Sequence, residues 1–275
     1  MNSIAQILNG FSIFGIDIAF YGVIIAFGML LGIIIAGKNT KYRKLEKDDI
    51  YTLALYVLPL AIIGARLYFV IFYPYTEPFL QVIFDIKGGG LAIYGGVIGG
   101  AIGAFLFCLI HKKNFIRVTD VAVISLILGQ AIGRWGNFIN QEAYGNIVTN
   151  PSLQWFPFAV FIDAENAWHM ATFFYESFFN LIIFATLMIL IRKIKIDGVI
   201  TSLYFVLYGF VRLVVEGFRT DSLYIGETSI RVSQLLSGIL IIGGIIALII
   251  LIIKDKWKRL NLENQPPSKK QNITK

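Results

Sequence analysis

The chain has 275 residues, of which 57% are hydrophobic and 15% charged, with a net charge of +7. It is too apolar for an ordinary soluble domain. The surplus of cations reads as a membrane-topology signal with affinity for anionic lipid, so no nucleic-acid partner is expected.

Uninterrupted apolar stretches, each of the about 20 residues needed to cross a hydrocarbon core, recur at 18–37, 51–73, 89–110, 119–137, 171–191, 198–217 and 232–254. These seven spans predict an all-α, polytopic membrane protein. A single integral membrane domain is expected over 1–254, followed by a polar cytoplasmic tail at 255–275 that is disordered over NLENQPPSKKQNITK. Residues 1–17 read as an interfacial segment. They lack a basic n-region and a small-residue cleavage site, so the first span is expected to remain as a permanent helix.

Loop charge sets the orientation. Of 24 Lys and Arg, 18 fall in 38–50, 111–118, 192–197 and the stretch after 253, while Lys87, Arg219 and Arg231 are the only ones in the alternate loops. The positive-inside rule then puts the N-terminus outside and the C-terminus in the cytoplasm. The longest loop, 138–170, lies on the outer side and carries Pro151, Pro157, Trp155 and Trp168, which suggest a small folded cap.

Within the spans, ionisable groups are costly and each asks for a reason. Tyr21 and Tyr94 sit near the beginnings of spans one and three. Arg66, Arg134 and Arg212 sit towards the ends of spans two, four and six. With the spans alternating in direction, all five share the outer half. Snorkelling to the headgroups accounts for one arginine at a time, but less well for three at one depth, each inside a polar motif.

The third span opens on Gly95, Gly99 and Gly103 at intervals of four, with Gly96 and Gly100 beside them. That spacing predicts close helix packing. Gly88-Gly89-Gly90 just before it suggests a flexible turn where backbone approaches a ligand. Cys108, the single cysteine, reads as an apolar core residue, and His111 and His169 form no metal-ligand cluster, so neither metal nor cofactor is expected.

The fourth span ends in GQAIGRWGNFINQEAYG. Gln130, Arg134 and Asn137 share a helix face, with Asn140, Gln141 and Glu142 arriving where the helix should break. In the sixth span Tyr208, Arg212 and Glu216 stand at i, i+4 and i+8, and Arg219 follows near the same face. Such residues suit a wet cavity inside the bundle. A transporter or channel for an anionic solute is the main alternative, and an outward-facing scaffold a second. The inner halves, such as 25–36, 53–62 and 182–190, are nearly free of ionisable groups, which favours a one-sided pocket over a through-pathway.

At these residues the chain resembles the bacterial prolipoprotein diacylglyceryl transferases. GRWGNFINQEAYG at 133–145 is the specific block. FYG at 20–22, GARLYFVIFY at 64–73, GGGLAIYGG at 88–96, FYES at 174–177, YGFVRLVVEGFR at 208–219 and SQLLSG at 233–238 follow in family order, so the resemblance spans nearly the whole chain. Two positions depart from the family pattern: Tyr94 stands where histidine is usual, and Met170-Ala171 stands for the usual His-Pro.

The resemblance implies transfer of the sn-1,2-diacylglyceryl group of phosphatidylglycerol to a lipobox cysteine of a preprolipoprotein at the outer leaflet of the bacterial plasma membrane. Arg134 and Arg212 are then expected on the phosphate, where guanidinium groups bind oxyanions bidentately. Tyr94, Glu142 and His169 stand as alternatives for the base, beside stabilisation of the thiolate by arginine alone. Asn137, Asn140 and Gly145 are expected at the headgroup and in shaping the local backbone. Tyr21, Tyr208, Glu216 and Arg219 are expected to line the cavity.

Overall fold

The computed structural model describes residues 10–13, 16–72, 90–224 and 228–263. Of the sequence expectations, the start of the interfacial segment, Lys87, the Gly88-Gly89 part of the glycine turn and the tail from 264 lie outside the described residues.

Seven helices dominate: α1 Phe20–Asn39, α2 Lys47–Phe72, α3 Ile93–Ile110, α4 Phe115–Ile139, α5 Thr172–Lys193, α6 Val199–Glu216 and α7 Val232–Glu263. All seven are long and apolar enough to cross a membrane. Their outer faces carry large apolar side chains in the open, Leu55 being 74% and Ile93 75% exposed. Such a surface suits contact with the lipid of a membrane. Helix α7 runs on beyond its apolar stretch because KDKWKRLNLE holds good helix formers and an Asp255–Arg259 pair at i, i+4, 2.7 Å apart. It thereby takes in the first three residues of the tail read as disordered.

The all-α expectation needs one correction. Two antiparallel hairpins accompany the helices: β1 Gly10–Ile13 with β2 Ile16–Ala19, and β3 Ala159–Ile162 with β4 Ala167–Met170. The second follows from local chemistry. AVFI and AWHM are rich in β-forming residues, and DAEN between them turns through an Asn166 N–H to Asp163 carbonyl bond of 3.3 Å, with Asn166 at φ +50°. Strands this short leave no signal at helical length.

The described chain divides into two compact units, Met1–Gly32 with Ala122–Lys275, and Ile33–Val121. In the second unit α2 and α3 pack backbone to backbone. Gly95, Gly99 and Gly103 are buried, and a Cβ on Gly99 would collide with the Leu60 carbonyl, one on Gly95 with that of Gly64. The spacing expected for close packing therefore does pack closely. Gly96 and Gly100 stand off it, with ordinary clearances. The same unit buries an ion pair, Arg43 Nε to Asp120 Oδ2 at 2.8 Å, with both side chains closed to solvent. Arg43, counted in the sequence as a loop cation, is thus an interior one.

In the first unit α4, α5 and α6 build an apolar core from Ile124, Ile127, Leu187, Ile191 and Ile200. Helix α7 lies against α6 through Gly209 and Gly244, where a Cβ would come within 3.1 Å of the Ser237 carbonyl and 2.9 Å of the Ser202 carbonyl respectively. Helix α4 is tied to α1 by the Ser125 hydroxyl, which donates to the Gly32 carbonyl at 2.7 Å.

The glycine contacts yield a test. Gly99→Ala should cost about 1–3 kcal/mol by overpacking. Gly100→Ala should be neutral or gain up to about 1 kcal/mol from helix propensity. Thermal unfolding of the purified variants in detergent reads both, and equal losses at the two positions would contradict the packing.

Candidate functional site

The polar motifs of α4, α5 and α6 converge in the first unit. Gln130, Arg134 and Asn137 stand along one face of α4, and Tyr204, Tyr208, Arg212 and Glu216 along one face of α6. Between them, from the first turns of α5, comes Glu176.

Glu176 is only 1% exposed. Its Oε1 accepts from Arg134 Nη2 at 2.7 Å, and its Oε2 from Arg212 Nη1 at 3.0 Å. Arg212 turns its other terminal nitrogen to Glu216 at 2.8 Å, with Ser233 Oγ 3.4 Å away. Glu216 is approached in turn by Arg219 at 3.8 Å, and Arg219 forks onto both oxygens of Asp221 at 2.9 Å each. A chain of alternating charge therefore runs from α4 through α5 to the end of α6. Taking a carboxylate out of water costs several kcal/mol; for Glu176, two guanidinium partners offset that cost. The arginines themselves are less closed, with side chains 17% and 14% exposed for Arg134 and Arg212. Each thus stays partly accessible from outside the cluster.

The alignment of α4 with α5 is fixed beside the charges. Trp135 donates its indole N–H to Ser177 Oγ at 3.1 Å, and the Ser177 hydroxyl donates to the Ala131 carbonyl at 2.8 Å. On α6 the ring of Tyr208 stacks on Tyr204, centroids 5.4 Å apart, and the Tyr204 hydroxyl exchanges hydrogen bonds with Gln130. Tyr21, at the start of α1, rests against Gly136, where any Cβ would run into the ring. That glycine lets the tyrosine lie beside the Arg134 face.

The break after α4 is tightly shaped. Gln141 and Ala143, at φ +50° and +58°, adopt the left-handed region on either side of Glu142, a conformation that non-glycine residues adopt only at some cost. Glu142 is exposed and is turned back, accepting from Asn137 Nδ2 at 2.9 Å and Asn140 Nδ2 at 3.3 Å. Asn137 also faces Arg134 at 3.4 Å, so Glu142 reaches the cluster through an amide.

Gly145 is placed as a scaffold position. Its N–H donates to the Met170 carbonyl at 3.0 Å, and a Cβ would lie 2.8 Å from the Thr172 methyl. It also bridges to Arg219, tying the 140–171 segment to the end of α6. His169 is buried beneath it, its Nδ1 giving a proton to the Gly145 carbonyl at 2.8 Å and its Nε2 lying 3.0 Å from Glu165. Tyr144 donates to the other oxygen of Glu165, and that hydrogen bond pushes its phenol pKa upward. Burial alone would raise the Asp221 carboxyl; the hydrogen bonds and charge of Arg219 outweigh it and hold that carboxyl below the usual range.

Two expected residues belong to the second unit. The Tyr94 ring lies 6.2 Å from that of Tyr68. Arg66 donates to the Gly90 carbonyl at 3.1 Å and covers the Phe69 ring. Gly90, at φ +77°, is where the backbone makes this close approach, since a Cβ there would sit 2.6 Å from the guanidinium.

Glu176 is the residue that sequence reasoning passed over, although FYES was quoted as a block. The signal was present: one carboxylate inside an apolar span demands cations at its own depth. Asn180, one turn further along α5 and fully buried, carries the same kind of signal.

Seven membrane-length helices among the described residues, with an arginine–carboxylate chain across α4, α5 and α6 of the first unit, define a multi-pass membrane protein with a charged interior. The sequence profile of the family "Prolipoprotein diacylglyceryl transferase" matches residues 9–250, and the chain belongs to that family. It is 47% identical over 238 residues to the phosphatidylglycerol–prolipoprotein diacylglyceryl transferase of Finegoldia magna, covering 86% of this chain and 92% of that one. To the enzyme of the same name from Clostridioides difficile it is 40% identical over 247 residues, 90% and 96% of the two chains. To that of Clostridium botulinum Loch Maree it is 43% identical over 262 residues, 93% and 99%. These relatives are transferases and lend no support to the transporter or channel alternative.

Two measurements probe the cluster. Glu176→Ala leaves two guanidinium groups facing each other and should destabilise the protein by about 3 kcal/mol, whereas Glu142→Ala, at an exposed position, should cost well under about 1 kcal/mol. Thermal midpoints in detergent compare them. Asp221, with its pKa lowered on folding, contributes stability that is complete above the unfolded value of about 3.9 and is lost as the pH falls through the folded value. Its side chain is 47% exposed, so solvent screening keeps the contribution small. The gap in midpoint between wild type and Asp221→Asn should accordingly close as the pH is lowered below about 4, and a gap that widens would contradict the ion pair.

Proposed function

We propose that this protein transfers the sn-1,2-diacylglyceryl group of phosphatidylglycerol to the lipobox cysteine of a preprolipoprotein, forming a thioether and releasing glycerol 1-phosphate. Family membership and the names of the relatives support this reading. The observation that carries it on the chemical side is the pair of guanidinium groups, Arg134 and Arg212, joined through one buried carboxylate and each partly accessible.

The reaction breaks the bond between the glycerol carbon and the phosphate oxygen while a new carbon–sulfur bond forms. The thiol proton leaves first or in concert, since the thiolate is the nucleophile. The phosphate starts as a diester with one negative charge and departs as a monoester that gains a second. Groups that bind the second charge better than the first accelerate the step. The partly accessible guanidinium groups of Arg134 and Arg212 suit that role, while Glu176 holds the two at one spacing. Carboxylates at Glu176, Glu216 and Asp221 keep the empty cluster near neutral, so the phosphate enters without a large unbalanced charge waiting for it.

Around this centre Tyr21, Tyr208, Asn137 and Asn140 line the donor's headgroup and glycerol, and Glu216 and Arg219 back Arg212. Glu142, exposed and hydrogen-bonded to two amides, serves as proton acceptor or as the group that orients the thiol. Tyr94 is given a role in orienting thiol or lipid on the family resemblance alone. The charge bias of the loops supports an outside N-terminus, a cytoplasmic C-terminus and a reaction site towards the outer leaflet of the plasma membrane. A lipobox cysteine emerging at that surface meets the donor there.

Purified protein, phosphatidylglycerol and a lipobox peptide suffice for the test, read by mass spectrometry of the peptide thioether and assay of glycerol phosphate. Arg134→Ala should lose at least about 1000-fold in rate, and Arg134→Lys should recover little of it, because a point charge does not replace a planar fork. Tyr94→Phe should lose about tenfold or more; full transfer by that variant would remove any role for its hydroxyl. An intact Arg134→Ala variant with undiminished transfer would overturn the assignment of the phosphate site.

A further inference from the structure

A second charged feature lies at the other end of α5. Glu176 and Lys193 are 17 residues apart on one helix, about 26 Å at 1.5 Å per residue. That is most of a hydrocarbon core. There a cleft of about 520 Å³ opens between the α5–α6 turn and the extended part of α7. Lys193 and Lys195 come from the turn, Lys254, Lys258 and Arg259 from α7, and Asp197 and Asp255 are the carboxylates of the lining. Leu251, Lys254, Asp255 and Lys258 follow at i, i+3, i+4 and i+7, so α7 presents one face to the cleft.

The charge in this cleft is unbalanced. Among the described residues, Arg259 is the cation of the five with a carboxylate at ion-pair distance, Asp255 at 2.7 Å. Five cations against two carboxylates in one concave space repel one another, and an anion between them relieves the repulsion. The walls are not purely polar: Ile194, Ile196 and Leu251 line it too. Cationic groups around an apolar lining match a molecule with a charged head and a greasy body. Trp257, 64% exposed on the same stretch of α7, is of the type that settles at the membrane–water boundary. It sets the cleft at headgroup level.

We propose that this cleft is a second phosphate site, held by Lys195, Lys254 and Lys258, that binds the headgroup of an anionic phospholipid in the leaflet remote from the arginine cluster. The distance along α5 excludes it from the transfer step, so the lipid is a resident one that braces α7 against the α5–α6 turn. Nothing in this assignment depends on the reaction at Arg134.

The experiment uses the full chain in a neutral detergent with three probes at equal concentration: dihexanoyl phosphatidic acid, dihexanoyl phosphatidylcholine and inorganic phosphate. Near saturation, the phosphatidic acid should raise the thermal midpoint of the wild type by about 3 °C or more. The shift should survive in Arg134→Ala, which removes the phosphate site of the arginine cluster, and vanish when Lys195→Gln/Lys254→Gln/Lys258→Gln is added to that variant; the triple variant alone, whose positions are solvent-facing, should keep its transfer activity. Inorganic phosphate matching the lipid would assign the cleft to the free anion and overturn the lipid part. A shift lost in Arg134→Ala, retained when the triple variant is combined with Arg134→Ala, or given equally by the zwitterionic lipid would overturn the site. Trp257 emission, compared with Trp257→Phe, gives an independent reading: quenching by a brominated phosphatidic acid is expected in the wild type and not in the triple variant.

Discussion

The interior of the first unit is organised around one carboxylate that water does not reach. Two guanidinium groups, from helices on either side, close on the two oxygens of Glu176 inside an apolar bundle. Each partner needs the others: without the arginines the carboxylate is stranded, and without the carboxylate the arginines repel. Exposed ion pairs contribute little to stability, but buried ones carry a heavy penalty for any missing member. The cluster therefore constrains the relative placement of α4, α5 and α6 more strictly than their apolar contacts do.

That constraint also prepares the chemistry. In the proposed reaction, two cations held at a fixed spacing serve as the receptor for a tetrahedral oxyanion and need not reorganise when its charge grows. The shaped turn at Gln141–Ala143 and the bridge between Gly145 and Arg219 extend the same principle outward, since they fix the backbone from which Asn137, Glu142 and Arg219 reach inward. The second unit shows the opposite solution. Its α2–α3 pair comes together through glycines with almost no side chain between them, and the buried ion pair of Arg43 with Asp120 lies off that glycine contact.

Much of this was legible in the residues. All seven helices were readable because about 20 apolar residues in a row have few alternatives, and their ends shifted by only a few residues except at α7, where charged helix formers prolong the spiral to Glu263. The α6 motif gave Arg212 and Glu216 on one face, and the structure pairs them. The hairpins were not legible, because four-residue strands carry too little periodicity to stand out beside long spans. Glu176 was missed for a different reason. Helical spacing relates residues on one helix, while its partners lie 42 positions before it and 36 after it. Gly145, expected from the sequence at the headgroup and in shaping the backbone, has contacts that no helical spacing could reveal: the side chains of Met170 and Thr172 and the Phe218 carbonyl.

The small relay from Trp135 through Ser177 to the Ala131 carbonyl bears on how robust the site is. A slip of one residue between α4 and α5 rotates the facing side chains by about 100° and would part Arg134 from Glu176. What guards against that slip is a neutral indole–hydroxyl–carbonyl bridge, whose strength depends on neither ionic strength nor proton concentration. The geometry of the charged centre is thus clamped by groups that do not titrate. The phase of α4 against α5 therefore does not rest on the charges alone.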